Sequence, residues 1–183
     1  ATPQTYPALM VHGIIPQFVT AIDSSIDDVE PLRGEGNAFT TLITHPSINP
    51  AMLDAWKGPV LYVNVKFDDG LDFAYKAMFP FITFEVGAQG CVSNVQFIIS
   101  HALRCNPIVL CGVDMSYTNG KKRAKEWRKV GNWRWEEKTQ EIKADALEVE
   151  IPLVMQFYRY LLAVIWKGTY ANLLKVGKYG LDI

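Results

Sequence analysis

Apolar residues in this chain come in short bursts, and most bursts close on a small polar cluster. Residues 18–22, 39–44 and 60–65 are rich in β-branched and aromatic side chains, the pattern of strands. They end on Asp23-Ser24-Ser25, on His45-Pro46-Ser47 and near Asn64. Residues 7–12 read as a short helix stopped by Gly13, and 26–32 as a short helix or turn. Residues 50–56 form a short helix that Ser47 or Asn49 can cap. Residues 68–81 start polar and turn aromatic without settling on a period.

Residues 93–103 space their apolar positions at 3.6, which predicts a helix. The continuous apolar run 108–111 predicts a strand buried on both faces. Residues 144–150 are a strand or a helix end. The stretch 153–165 is a helix apolar nearly all round, hence central or in an interface, and 170–176 is a final strand. Strands alternating with helices predict an α/β fold with a parallel or mostly parallel sheet. Residues 1–183 fit one domain, with a basic and aromatic insert at 117–143.

With 49% hydrophobic residues in 183, the chain can bury a real core. A net charge of −1 gives no general pull toward nucleic acid or an acidic membrane, so neither is an expected partner. Cys91, Cys105 and Cys111 are odd in number and form no CxxC pair, so buried free thiols in a reducing compartment are expected. Gln156 and Arg159 interrupt the longest apolar stretch, which also falls short of the ~20 residues that span a bilayer. A soluble, cytoplasmic protein is the expectation.

Candidate chemistry gathers at the strand ends. In a parallel sheet these ends share one edge, where open α/β sheets bind ligands. Asp23-Ser24, His45-Ser47, Asn64 and Asp114 would make a polar rim able to hold a ribose, a phosphate or a hydrated metal ion. Gly87 and Gly90 precede a helix whose first N–H groups could cradle a phosphate. An ordinary tight turn with Ser93 as N-cap explains them equally well. The spacing is GxxG, so the dinucleotide fingerprint is absent and NAD is disfavoured.

The insert interleaves Lys121, Lys122, Arg123, Lys125, Arg128, Lys129 and Arg134 with Trp127, Trp133 and Trp135. Charge plus stacking could clamp a nucleotide. Glu126, Glu136, Glu137 and Glu141 dilute the patch, which favours a solvated insert whose tryptophans pack on the body. Lys122 and Arg123 stand nearest Asp114 and are its best phosphate candidates. His12 and His101 read as structural, and His45 is the one histidine at a strand tip. No Ser-His-Asp order or metal box is readable.

Gly13-Ile14-Ile15-Pro16-Gln17-Phe18 followed by Ala21-Ile22-Asp23, then Thr44-His45-Pro46 and Lys57-Gly58, resemble the 6-hydroxymethylpterin diphosphokinase (MptE-like) family. Ala102-Leu103-Arg104-Cys105-Asn106-Pro107, Cys111-Gly112-Val113-Asp114 and Tyr117-Thr118-Asn119-Gly120-Lys121 carry the closest likeness. The resemblance implies a Rossmann-like three-layer sandwich with a mostly parallel central sheet. It implies a nucleotide-binding transferase using ATP and Mg²⁺, which passes a diphosphate to a hydroxymethyl group. Asp23 and Asp114 would be the catalytic and metal-binding acids. Gly90 would lie beside the nucleotide, with Asn119, Gly120 and Lys121 near its phosphates, and the strand-end, glycine and basic-cluster readings add Ser24, Asn64, Gly87 and Arg123 as nucleotide contacts.

The same domain occurs in flagellin-modifying glycosyltransferases, so the alternative is a glycosyltransferase using a CMP- or UDP-sugar, with Tyr117 or a loop tryptophan stacking on the base. A non-catalytic scaffold, homo-oligomeric through the 153–165 helix, is the remaining reading. Transfer of this kind needs positioning and charge neutralisation more than a strong base. Family members carry a further strand and a Gly-Pro-Ser-Leu loop ahead of the Gly13 element, and this chain is expected to lack them. Lys122-Arg123 stand where the family has His, and Gln17 where it often has Asp.

Overall fold

A computed structural model of the chain describes residues 1–25, 29, 32, 37–66, 71–87, 90–113 and 153–176, and by backbone 117–118, 139–144 and 147–152. Backbone contacts divide these residues into two units, one running from Ala1 to Gly87 and one from Gly90 to Val176. The expected helix or turn at 26–32 and most of the insert at 117–143 lie outside the described residues.

The first unit contains α1 (Tyr6–Val11), β1 (Phe18–Ala21), a 3-10 turn (Asn37–Phe39), β2 (Thr41–Thr44), α2 (Pro50–Ala55), β3 (Val60–Tyr62), β4 (Asn64–Lys66), α3 (Leu71–Met78) and β5 (Glu85–Gly87). Proline sits in the first turn of both α1 and α2, where its fixed φ costs nothing. Asn49 caps α2, its Oδ1 accepting from the Ala51 N–H at 3.0 Å. Gly13 ends the α1 segment at φ +70°, a conformation free of strain for glycine.

The strands are parallel. β1 pairs with β2 from Phe18↔Thr41 to Ala21↔Thr44, and β2 with β3 from Leu42↔Val60 to Thr44↔Tyr62. β4 pairs with β5 from Asn64↔Glu85 to Lys66↔Gly87. The Val63 N–H donates to the Thr44 carbonyl at 2.8 Å, and the next amide, of Asn64, to the Phe84 carbonyl at 2.9 Å. The run from Val60 to Lys66 therefore bonds β2 with its first half and β5 with its second. Val19, Thr20 and Ala21, and likewise Leu42, Ile43 and Thr44, are buried in succession, so both faces of these strands are covered. Tyr6, Met52 and Trp56 close one side of that core. The expected strand 39–44 starts late because Asn37–Phe39 turns first, and the unassigned stretch 68–81 contains α3.

The second unit contains α4 (Val92–Ala102), β6 (Ile108–Cys111), β7 (Tyr117–Thr118), β8 (Thr139–Ala144), β9 (Leu147–Pro152), α5 (Leu153–Lys167) and β10 (Leu173–Val176). β10 lies parallel to β6 in the register Leu173↔Ile108 to Val176↔Cys111. β8 and β9 form an antiparallel pair with β7 on the other side of β9, where a single strand or a helix end was expected. Phe97, Ile108, Leu110, Leu162 and Ala171 make the core, flanked by Met155, Tyr158, Ile165 and Trp166.

Three expectations are corrected here. β6 is buried on alternate residues, not on both faces, and Val109 is 46% exposed. Cys105 and Cys111 are exposed free thiols, and only Cys91 is half-buried. The N-cap of α4 is Cys91, not Ser93, and it makes no side-chain cap bond. α5 places Leu162 in the core and leaves Leu153, Phe157, Tyr160 and Val164 exposed. Among the described residues no helix is long and apolar enough to cross a membrane. The fold is mixed α/β, with short parallel strands in small sheets and one antiparallel sheet.

Candidate functional site

Parallel pairing in the first unit aligns the carboxyl ends of its strands. Ala21 and Thr44 are partners, as are Thr44 and Tyr62, so the residues that follow them emerge along one edge. Those residues are Asp23-Ser24 after β1, His45-Pro46-Ser47 after β2 and Asn64 beyond β3. Asp23 and Ser24 thus follow the carboxyl end of β1, and Gly87 closes β5, opposite Lys66, in the separate β4–β5 pair.

Asp23 and Ser24 are exposed. The Asp23 Oδ1 accepts from the Ser25 N–H at 2.9 Å, which tightens the turn leaving β1. The Asn49 side-chain amide donates to the Ser24 carbonyl at 3.3 Å, tying the loops after β1 and β2 together. Asn64 departs from the expectation of a strand tip: it is buried and opens β4.

Beneath this rim lies His45, 0% exposed. The Tyr75 ring of α3 meets it edge-on, with centroids 4.7 Å apart. Its Nδ1 stands 2.7 Å from the Ser47 Oγ and accepts from the Ser47 N–H at 3.1 Å. Burial pushes the imidazole below the ordinary histidine range, and a hydrogen bond with Asn64 and the Asp72 carboxylate pull it partly back. The ring is neutral at neutral pH. Nearby, Lys76 and Lys66 grip the Glu85 carboxylate at 2.7 and 2.9 Å and hold its pKa down to about 2.

The sequence marked His45 as a strand-tip residue but missed its ring contact with Tyr75 and its bond to Asn64. The first depends on α3, which showed no readable period, and the second on Asn64 at the start of β4. A polar residue that closes one apolar run and another that lies within the next was the available signal.

In the second unit Gly90 precedes α4 at φ +78°. A Cβ there would fall 2.5 Å from the Tyr158 ring and 3.3 Å from Leu161 of α5. Close approach of α5 therefore gives glycine at 90 a packing reason of its own. Asp114, Asn119, Gly120, Lys121 and Arg123 lie outside the described residues, and Tyr117 is described only as part of β7. Among the described residues no three His, Cys, Asp or Glu side chains come together as a metal site.

A parallel-stranded mixed α/β protein with a polar carboxyl edge is the class that fold and site define. The sequence model of the family described as 6-hydroxymethylpterin diphosphokinase MptE-like matches residues 1–120. The chain belongs to that family. It is also similar in structure to the MAf glycosyltransferase from Magnetospirillum magneticum AMB-1, with TM-score 0.64 and 18% identity. That match covers 99% of this chain and 29% of the glycosyltransferase, so the chain spans under a third of its length. No curated protein matches the chain.

Proposed function

We propose that the chain is a nucleotide-binding transferase domain that takes a nucleotide-activated sugar as donor. The nucleotide lies along the carboxyl edge of the first unit, in a Rossmann-like three-layer arrangement. The observation that carries this reading is the placement of Asp23, Ser24 and Ser47 after the ends of parallel strands, the border at which such sheets bind nucleotides. The likeness to a glycosyltransferase extends over 99% of the chain and so takes in the elements after residue 120, which the family match does not reach. This favours a sugar nucleotide.

A second reading is transfer of diphosphate from ATP to a pterin alcohol, supported by the family's description. It requires Mg²⁺, which would neutralise the polyphosphate, with Asp23 of the first unit as a protein ligand. Both readings suit a cytoplasmic protein with a small-molecule partner.

Thermal-shift titration with CMP, UDP-sugars and ATP, each with and without Mg²⁺, separates them, because a ligand bound only by the folded state raises the Tm. A metal-independent rise with CMP or a UDP-sugar is expected. A rise with ATP that needs Mg²⁺ would move the assignment to diphosphate transfer. No rise with any nucleotide at millimolar concentration would sink both.

A further inference from the structure

The contact between His45 and Ser47 fixes more than a turn. The Ser47 N–H donates to the His45 Nδ1 at 3.1 Å, so that nitrogen holds a lone pair and cannot carry the ring proton. In the neutral imidazole the proton is then on Nε2. The tautomer follows from this network.

The Ser47 Oγ lies 2.7 Å from the same Nδ1. With no proton on that nitrogen, the hydroxyl must be the donor. Ser47 therefore spends its one proton inward. What it has left for the edge is oxygen lone pairs, and its side chain is only half-buried.

This decides which ligand groups Ser47 can meet. A phosphate oxygen needs a donor, and Ser47 has none to offer while His45 holds its proton. A sugar hydroxyl can donate to it. We propose that Ser47 is the acceptor that reads a ribose hydroxyl of the bound nucleotide, and that His45 is the positioning residue that keeps it in the acceptor orientation. The inference rests on the nucleotide reading above and deepens it by naming the part of the nucleotide met after β2. Full burial of His45 suits this role, since a ring closed off from water and wedged by Tyr75 cannot turn to offer its other nitrogen.

The test is calorimetric titration of the whole chain with whichever nucleotide shifts its Tm, CMP being the first probe, against its 2′-deoxy and 3′-deoxy forms. One hydrogen bond is worth about threefold to tenfold in affinity, so one of the two deoxy forms binds weaker by that factor. Ser47→Ala brings the ribonucleotide down to the affinity of that deoxy form, so the ratio between them falls to about one. His45→Asn, which keeps an acceptor near the position of Nδ1, retains part of the ratio, and His45→Leu loses it.

Equal affinity for ribo and both deoxy forms in the native chain overturns the proposal and leaves nucleotide binding intact. A ratio that survives Ser47→Ala does the same. A second measurement needs no ligand: ¹⁵N spectra of the imidazole at neutral pH show Nδ1 unprotonated. A proton on Nδ1 overturns the inference whether or not a nucleotide binds. If no nucleotide binds at all, the reading it rests on fails with it, and the spectrum still reports on the His45–Ser47 pair alone.

Discussion

The two units use the same kind of short parallel strand and bury it differently. In the first, β1 and β2 each bury three residues in a row, so side chains pointing both ways are covered. In the second, β6 alternates buried and exposed, and β10 alternates half-buried and exposed. Both units offer mostly apolar residues at these positions, with Thr20 and Thr44 buried in the first and Lys175 half-buried in β10 of the second. An apolar run thus states what a strand can bury, and the elements around it decide what is buried. The first unit has material on both sides, with Tyr6 of α1 and Met52 of α2 in the core. The second has α4 and α5 on the inner face of β6 and β10.

The largest effects are expected where the two units are alike, in their cores. Leu42 and Leu162 are both 0% exposed. Replacing either with alanine leaves a cavity and costs about 2–5 kcal/mol in urea unfolding. A loss below about 1 kcal/mol at either site would mean that its core collapses around the gap.

Gly90 sharpens the contrast next, because it is a backbone constraint created by packing. Alanine there meets a left-handed φ and the Tyr158 ring together. The backbone contributes roughly 1–2 kcal/mol and the overlap about 1–3, so Gly90→Ala destabilises by several kcal/mol. Paired with Tyr158→Ala, the same change costs only the backbone share, and a double-mutant cycle measures the difference. Purely additive costs would mean that the ring moves aside freely.

How much of this was legible depends on how local the cause is. The helix 93–103, the strand 18–22 and the helix 50–56 with Asn49 as its cap were readable because each rests on its own period and turn residues. Asp23, Ser24 and His45 were readable as residues that follow strands because apolar runs end on them. Partners distant in sequence were not readable. Tyr75 lies thirty positions from His45, and Tyr158 is sixty-eight beyond Gly90. The glycine looked like a phosphate loop or a turn, while its close neighbour is an aromatic ring on another helix. The exposed cysteines were misread for the same reason: an apolar neighbourhood in sequence is not one in space. Asp114, with Asn119, Gly120, Lys121 and Arg123, cannot be weighed in this way because they lie outside the described residues.

The first unit also has a titratable group buried at its edge. His45 binds a proton less readily when folded than when unfolded, chiefly because burial disfavours its charge. Its contribution is complete above the ordinary histidine pKa, about 6.5. As pH falls below that value the unfolded chain takes up the proton first, and stability declines until the folded ring also protonates. Asn64, Asp72 and Tyr75 face the ring, and the Asp72 charge moderates the decline. Urea midpoints measured from pH 7.5 down to 5 should fall, and His45→Gln should flatten that slope. An equal slope in the variant would assign the decline to other groups.

The smallest effects test the comparison most directly, because they contrast two faces of one pair of strands. Val109 and Leu174 are register partners, 46% and 52% exposed, and Leu110 beside them is buried. Threonine suits a strand as well as valine does, so on an open face it removes little. Val109→Thr and Leu174→Thr should each stay within about 0.5 kcal/mol of the native chain, whereas Leu110→Ala should cost about 2–5. Thermal or urea unfolding of the three variants side by side decides the matter. If the threonine variants lose about 2 kcal/mol or more, a value typical of core sites, their face is covered in solution. The second unit would then bury its strands from both sides as the first does, and the apolar run at 108–111 would have been the truer guide.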